Sequence, residues 1–382
     1  MEIETPVWAL VRVAVGYVLL DRGGMTSFLH RMQGRTPWGS KGLLFMLALK
    51  LTPMQRQVQS DLWRLAAGKG FGKNLPRLLS ALPEGISYIN VGHSNLTEHT
   101  LEAVAAHPGG KTTVMIHDTI PLDFPDYSRP EAVNRFDGLL RRTLNHADMI
   151  LCNSVKTKED VERHAKAMAV AEGTPADTAA GALPPCVVAY LGVDLTRADE
   201  VAIPSDLPRN RPLFLSVGTT EARKNHTLLL DIWEGWDEAK DGPRPVLGIA
   251  GARGWRNEAF FDRLDASDLK GRDIFEWTDL SDKAIAALMA HSHALLFPSY
   301  AEGYGLPPVE AAALQTPVIS ADLPSVREVL GELPVYLTAD DSYPWKTAIK
   351  SRLEDGRSGT TGPGAFTPPT WEEHFKIVLK MI

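Results

Sequence analysis

The feature that most constrains the fold of this 382-residue chain is a regular alternation of short apolar runs and helical stretches in its C-terminal half. Apolar runs of strand length are separated there by helix-like segments and by polar or glycine-bearing turns. Because strands that alternate with helices are typical of parallel sheets, we predict an α/β fold with a doubly wound sheet. The predicted strands are 213–217, 245–250, 274–277, 294–297, 317–320 and 334–337, and the predicted helices lie near 225–236, 257–264, 281–291, 305–314, 325–330 and 344–353.

A second α/β pattern precedes this one. Its predicted strands are 86–91, 112–117, 149–153 and 186–191, and its predicted helices are 97–106, 130–146 and 156–169, the last with Ser154 as N-cap. Residues 1–85 are less regular, with a strand-like run at 11–20 and helix-like runs at 42–51 and 58–67.

The stretch 196–211 lacks periodicity and contains prolines, as expected of an inter-domain linker. We therefore predict two domains, at 1–195 and 196–370. The segments 170–184 and 355–369 are rich in glycine, proline and small residues and are predicted loops, and 371–382 is a predicted final helix.

Charge and composition restrict the class of protein. The formal net charge of −7 argues against a nucleic-acid partner, which needs a basic face. The two cysteines, Cys152 and Cys186, have no metal-ligand or redox spacing, and Cys152 reads as a buried thiol in a reducing compartment.

The apolar run at 6–20 is too short to span a bilayer and follows acidic residues, so it reads as strand material and not as a targeting signal. We expect a cytoplasmic protein. The patch 42–50 leaves peripheral attachment to the inner face of the membrane open, although a core helix is the commoner outcome for such a run.

The stretch 297–320 carries the most chemical information. It reads as a strand end, a loop with Gly303 and Gly305, and a helix, with Glu302 in the loop and Glu310 within the helix. A loop that leads into a helix N-terminus at the end of a parallel strand is a usual site for an anionic ligand. Carboxylates there suit the hydroxyl groups of a sugar or ribose. An ordinary strand–turn–helix with two surface glutamates is the alternative.

Another strand end, at 217–225, reads V-G-T-T-E-A-R-K-N. Gly218 and Thr219 are followed by Arg223 and Lys224 before a helix, so backbone N–H groups, the helix dipole and two cations could meet a diphosphate. A solvated basic turn is the equally weighted alternative.

His117 closes a strand of the first domain, and the glycines at 248–254 beside Trp255 are a weaker candidate for a nucleobase wall.

Several common enzyme signatures are missing from the sequence. There is no Walker A motif, no G-x-G-x-x-G after the first strand, no G-x-S-x-G and no H-E-x-x-H. P-loop kinases, dehydrogenases, serine hydrolases and zinc enzymes are therefore disfavoured.

Taken together, these motifs resemble those of the retaining glycosyltransferases of family 4, which have the GT-B fold. F-P-S-Y-A-E-G-Y-G-L-P-P-V-E at 297–310 looks like the E-x7-E signature of that family, and T-P-V-I-S follows it at 316–320. The sequence at 215–226 is similar to the family's diphosphate loop in mannosyltransferase-like members. H-D-T-I-P-L-D-F-P at 117–125 looks like its interdomain histidine loop. The resemblance covers about 110–340.

The resemblance implies two Rossmann-like domains that face a cleft, with a nucleotide-diphosphate sugar on the C-terminal one. It also implies that the helix at 371–382 crosses back to the first domain and that neither a cofactor nor a metal is needed. The family often has an arginine where Thr219 stands and a glycine where Gln315 stands. The N-terminal region also lacks the usual first strand and glycine-rich loop of the acceptor side.

By this resemblance each candidate residue receives a role. Lys224 and Arg223, with Gly218 and Thr219, would hold the diphosphate, and Glu310 the ribose. Glu302 and the amides of Tyr304, Gly305 and Leu306 would hold the sugar, and His117 would lie across the cleft. Glu302, His117 and Lys224 are the predicted catalytic residues.

The predicted function is retaining transfer of a hexose, for which mannose is one candidate, to a glycan or lipid-linked acceptor in surface polysaccharide or lipopolysaccharide synthesis. Two alternatives stay open: a nucleotide-sugar epimerase of GT-B fold, and a non-catalytic donor-binding partner.

Overall fold

The computed structural model describes residues 6–46, 48, 50–72, 74–173, 183–196, 198–356 and 366–381. Its N-terminal part is an antiparallel sheet in the order β1 (Ala9–Val13), β2 (Gly16–Leu20) and β3 (Gly68–Phe71). The apolar run predicted as a single strand at 11–20 is instead a hairpin. A Cβ at Gly16, which has a φ of 145°, would lie 2.1 Å from the carbonyl oxygen of Gly70, so glycine permits the close approach of β2 and β3.

Four helices surround this sheet: α1 (Arg22–Met32), α2 (Leu43–Met46), α3 (Pro53–Leu65) and α4 (Leu75–Leu79). The helix predicted at 58–67 begins earlier, because Thr52 and Gln55 form a reciprocal capping box at the start of α3. The core helix predicted at 42–51 is wrong in length. Only Phe45 of α2 is buried, whereas Leu43 is 82% exposed, and residues 47 and 49 lie outside the described ranges.

The second sheet is parallel, in the order β4 (Ser87–Asn90), β5 (Lys111–Ile116), β6 (Met149–Cys152) and β7 (Cys186–Val188). Its helices are α5 (Glu98–Ala105), α6 (Ile120–Asp123), α7 (Pro130–His146) and α8 (Val155–Ala171). The predicted cap of α8 is confirmed, since Ser154 Oγ accepts the N–H of Thr157 at 2.9 Å. Residues 174–182 of the predicted loop 170–184 lie outside the described part of the chain.

The C-terminal half confirms the predicted doubly wound sheet. All of its neighbouring strands are parallel, in the order β10-β9-β8-β11-β12-β13. Strand order reverses between β8 and β11, and the crevice beyond the carboxyl ends of such a pair is the usual ligand site of an open α/β sheet. The strands are β8 (Leu213–Val217), β9 (Val246–Ala250), β10 (Ile274–Trp277), β11 (Ala294–Phe297), β12 (Val318–Ala321) and β13 (Val335–Leu337).

Helices cover both faces of this sheet, and two separate apolar clusters form between sheet and helices. Ile203 and Leu207, from the predicted linker, are buried in one of these clusters. The domain boundary near 195 stays a prediction. The helices are α9 (His226–Glu234), α10 (Glu238–Asp241), α11 (Glu258–Ala266), α12 (Asp282–His291), α13 (Leu306–Ala313), α14 (Pro324–Leu330) and α15 (Ser342–Asp355). Residues 357–365 of the predicted loop 355–369 are outside the described ranges.

The last helix, α16 (Trp371–Met381), packs against the N-terminal parallel sheet. Its Val378 is buried with Met115, Leu151 and Ala189, and the Nδ1 of His374 lies 3.0 Å from the carbonyl oxygen of Tyr190. Within the described residues, none of the helices has both the length and the apolar character needed to cross a membrane.

Candidate active site

The loop between β11 and α13 forms the floor of the candidate site. Gly305 has a φ of 101° and stands at the N-cap of α13, where a Cβ would lie 2.8 Å from the side chain of Val326. Pro307 and Pro308 fit the first turn of α13, which has no need of their N–H groups. This geometry turns the loop so that Glu302 faces the end of β8.

Glu302 is paired with both predicted cations. Its Oε1 lies 2.6 Å from Lys224 Nζ and 3.0 Å from an Nη of Arg223, and the three side chains are only 10–13% exposed. Burial alone would raise the pKa of Glu302, but the charges of Lys224 and Arg223 outweigh it and hold this pKa below its usual range. The carboxylate is therefore ionised at neutral pH.

Arg223 is held by a second carboxylate and by a backbone oxygen. It pairs with Glu221 at 2.6 Å and donates to the carbonyl of Ala301. Glu221 is itself buried. Two cations and two carboxylates thus meet in one small region, so the site is close to neutral when no other charge is present. An incoming diphosphate would compete with Glu302 for cations that are already in position.

Glycines bring the backbone close together around these cations. Gly218 follows β8 with a φ of 132°, and a Cβ built there would lie 3.8 Å from Lys224 Nζ. A Cβ at Gly251 would lie 2.0 Å from the carbonyl oxygen of Gly218, and one at Gly254 would lie 2.9 Å from the Thr219 methyl group. The turns after β8 and β9 therefore pack directly on each other, and Thr219 stays exposed.

The other predicted site residues of this segment, Tyr304, Leu306 and Glu310, differ from one another in burial and in contacts. The ring of Tyr304 is buried, and its hydroxyl donates to the carbonyl of Leu191 at 3.0 Å. Its side chain is therefore used in packing, and only its backbone could serve a ligand. Leu306 begins α13 and is 37% exposed. Glu310 lies further along α13, where burial and then the nearby Asp282 raise its pKa.

The opposite wall comes from the end of β5. A Cβ at Gly303 would lie 2.1 Å from the carbonyl oxygen of His117 and 2.9 Å from Asp118 Cβ, so the two chain segments touch. The His117 ring is turned toward the N-terminal half, with its Nε2 donating to the carbonyl of Val91 at 2.6 Å. Its ring lies 5.7 Å from that of His93.

Asp118 was not among the predicted site residues. Burial raises its pKa, the charge of Arg223 lowers it and that of Glu302 raises it, so this carboxyl lies close to the site's charged groups. One of its oxygens accepts the N–H of Ile120 at 3.0 Å. Its position directly after His117, at a strand end, is the sequence signal that could have identified it.

Sequence reasoning also missed an aromatic contact across the cleft. The rings of Tyr127 and Tyr300 stack with centroids 5.5 Å apart and an interplanar angle of 5°. Nearby, Arg256 donates to the carbonyl of Ser128, and the Arg129 guanidinium lies 5.4 Å above the Trp255 ring. The loop 124–129 of the first half is therefore held against the second half beside the candidate site.

Metal ligands do not gather at this site: within the described ranges, the structure shows no group of three or more His, Cys, Asp or Glu side chains arranged to hold a metal ion. The positive charge near Glu302 comes from Lys224 and Arg223.

Comparison with known proteins adds to this picture. Residues 199–355 match the family described as "Glycosyl transferases group 1". Over 245 residues the chain is 31% identical to the serotype-specific mannosyltransferase WbdA of Escherichia coli, a match that covers 61% of this chain and 28% of WbdA. It is 24% identical over 256 residues to the O-antigen chain mannosyltransferase RfbU of Salmonella typhimurium, covering 67% of this chain and 63% of RfbU. The chain thus spans less than a third of the length of WbdA.

Solved structures establish the fold. WaaG, a glycosyltransferase involved in lipopolysaccharide biosynthesis, superposes with a TM-score of 0.51 at 13% identity, over 79% of this chain and 94% of WaaG. Sucrose-phosphate synthase from Thermosynechococcus elongatus gives 0.51 at 16% identity, over 80% and 73% of the two chains. The predicted GT-B fold is confirmed.

Proposed function

Because residues 199–355 form a glycosyl transferases group 1 domain within a GT-B fold, we propose that this chain is a retaining hexosyltransferase. Its donor is a nucleotide-diphosphate sugar, and its acceptor is a glycan or lipid-linked glycan of a surface polysaccharide such as lipopolysaccharide. The similarity to mannosyltransferases favours mannose as the hexose. The observation that supports the proposal most is the pairing of Glu302 with Lys224 and Arg223 at the carboxyl ends of β8 and β11.

The proposed reaction breaks the bond between the anomeric carbon and the diphosphate oxygen and forms a bond from that carbon to an acceptor hydroxyl oxygen. The acceptor proton passes to the departing phosphate oxygen, so attack from the same face retains the configuration. Lys224 and Arg223 stabilise the negative charge that develops on the diphosphate. In this role they need no divalent metal, and we expect transfer to be insensitive to a chelator.

Glu302 has two successive roles in this proposal. Before the donor binds, it holds both cations near the end of β8. Once the diphosphate has drawn the cations away, its ionised carboxylate can accept hydrogen bonds from the hydroxyl groups of the sugar. Glu310, with its raised pKa, is the proposed partner of the ribose hydroxyls.

Exposed apolar side chains support the proposal that the enzyme works at a membrane face. Leu43, Leu44 and Met46 of α2 are exposed, and Lys41 and Lys50 flank them in the sequence. Such a surface fits an acceptor carried on a lipid.

The test begins with a thermal-shift screen of GDP-, UDP- and dTDP-sugars, with GDP-mannose as the first probe. A bound donor raises the melting temperature by mass action. Sugar transfer is then measured with the donor that binds. Loss of Lys224 in Lys224→Ala should lower kcat by about 10²- to 10³-fold, the usual cost of removing one charge-stabilising group.

Lys240→Ala is the matched control, because Lys240 belongs to the same half but is 82% exposed and pairs only with Asp237 in the described structure. Its kcat should equal that of the wild type. Wild-type turnover in Lys224→Ala would overturn the phosphate assignment. Absence of binding to every nucleotide sugar would overturn the proposed function.

A further inference from the structure

Helix α8 begins at the junction of the two halves, and its first backbone N–H groups need hydrogen-bond acceptors from outside the helix. The first N–H groups of a helix have no acceptor within the helix. In α8, Ser154 Oγ accepts the N–H of Thr157 at 2.9 Å, and the Ser154 carbonyl accepts that of Lys158 at 3.1 Å. Neither bond serves the N–H groups of Val155 and Lys156.

Glu328, in α14 of the C-terminal half, supplies the acceptors for these two groups. Its carboxylate oxygens lie 3.0 and 3.1 Å from the nitrogen of Val155, and one of them lies 3.3 Å from that of Lys156. Among the described residues these are the acceptors that the structure gives for the two amides. A carboxylate at this end of a 17-residue helix also meets the positive end of its dipole.

The same helix end is bonded to both walls of the candidate site. Ser154 Oγ donates to the carbonyl of Gly303 at 2.7 Å, and Thr157 Oγ1 lies 3.2 Å from the carbonyl oxygens of both Gly303 and His117. On the other side, Ser325 Oγ donates to the carbonyl of Glu302 at 2.9 Å. Since Ser325 and Glu328 share α14, this helix contacts both the Glu302 loop and the start of α8.

We propose that Glu328 is a positioning residue: by capping α8 across the junction, it holds the His117–Asp118 wall in register with the Glu302 loop. Glu328 need not touch the donor, because its carboxylate is used by the backbone of α8. The structural part of this inference, the contact across the junction, rests on these distances alone. Its kinetic part, the effect on turnover, rests on the proposed function.

The structural part is tested by amide hydrogen exchange of the ligand-free full chain, resolved to single residues. The amides of Val155 and Lys156 report the contact between the halves, whereas the amide of Thr157, capped by Ser154, reports α8 itself. In Glu328→Ala the first two should exchange roughly tenfold faster or more, because they lose their hydrogen-bond acceptor, while Thr157 keeps its protection.

Two variants separate this effect from general damage. Glu328→Gln keeps an acceptor oxygen and should retain most of the protection. Glu332→Ala removes a carboxylate just beyond the end of α14, and should leave all three amides unchanged because Glu332 is 85% exposed and pairs with Arg327. Unprotected Val155 and Lys156 amides in the wild type, or unchanged exchange in Glu328→Ala, would overturn the proposal. If all three amides lose protection together in Glu328→Ala, its role is merely structural and the proposal also fails.

The kinetic part compares kcat with the KM for the donor, with GDP-mannose as the first probe. Glu328→Ala should lower kcat by about tenfold or more and change the donor KM by less than about threefold, because the Glu328 carboxylate bonds to the backbone of α8 and not to the residues proposed to hold the diphosphate. Glu328→Gln should recover most of kcat. A change in donor KM alone would contradict the positioning role. A wild type without transferase activity would refute the proposed function and leave the exchange experiment decisive for the contact.

Discussion

At the scale of single residues, Gly303 is a point where the two walls of the site come into contact. Its neighbour Glu302 bonds to cations within the C-terminal half, whereas Gly303 itself touches the backbone of His117. One peptide unit thus joins the proposed donor site to the opposite wall. The absence of a side chain at this position therefore has a geometric reason.

Gly303→Ala should separate closure of the cleft from donor binding. The added Cβ would stand 2.1 Å from the His117 carbonyl oxygen, a backbone atom, so the walls must move apart. We expect kcat to fall by roughly tenfold or more, while donor affinity, measured by calorimetry, changes by less than about threefold. A variant with normal kcat would show that the walls do not touch during turnover.

Local sequence patterns predict the residues of the candidate site but not the contacts between them. Lys224 and Glu302 are recognisable because each follows an apolar strand and precedes a helix, which is a local pattern. Their ion pair, the Tyr127–Tyr300 stack and the Glu328 cap join positions 78 to 173 residues apart. The stack and the cap depend on how the two halves meet, and the ion pair depends on β8 and β11 being neighbours in the C-terminal sheet. No local pattern encodes either arrangement.

At the scale of elements, local start signals were used unevenly: the start of α7 was predicted, whereas the capping box that begins α3 at Thr52 was missed. Helix α7 spans 130–146 as expected, because Pro130 suits the first position and Ala147 leads directly into β6. Helix α2 failed since its apolar composition looked like core material, whereas its partners leave three of its four side chains exposed. Composition gives the type of element, but burial depends on the packing around it.

Helix α7 also contains a glycine that lowers its stability. Gly138 lies in its interior, where a Cβ would meet only the flexible end of Arg142 at 3.5 Å. Gly138→Ala should stabilise the protein by about 0.5–1 kcal/mol and raise its melting temperature by roughly 2 °C, because glycine loses more backbone entropy in a helix. The variant also serves as a glycine control for Gly303→Ala, since its kcat should be unchanged. A lower melting temperature would show that there is less space for a methyl group at position 138 than the structure indicates.

At the scale of the whole molecule, contact between the halves should depend on pH through Glu328. Burial raises the pKa of Glu328 to about 7, although the N–H groups of Val155 and Lys156 partly offset the effect. The charge of Glu159 raises this pKa further. The phenols of Tyr190 and Tyr304, which also face Glu328, stay neutral in this range because burial raises the pKa of each.

The sign of this pH dependence follows from the number of protons that the docked and the separated forms bind. When the halves separate, the pKa of Glu328 returns toward its ordinary value of 4.5, so the docked form binds more protons between that value and about 7. Docking is therefore strongest at low pH, weakens as the pH rises through about 7, and levels off above. Burial also raises the pKa of Asp118, which acts in the same direction.

Amide exchange at Val155 and Lys156, corrected for intrinsic rates and referred to Thr157, measures this dependence. Protection should fall by about tenfold or more between roughly pH 5.5 and pH 8.5 in the wild type, since each pKa unit corresponds to a tenfold change. Glu328→Gln cannot ionise, so its protection should vary less with pH and keep only the dependence that comes from Asp118. Equal pH dependence in the two proteins would show that the charge of Glu328 does not govern docking, even if its oxygen atoms still cap α8.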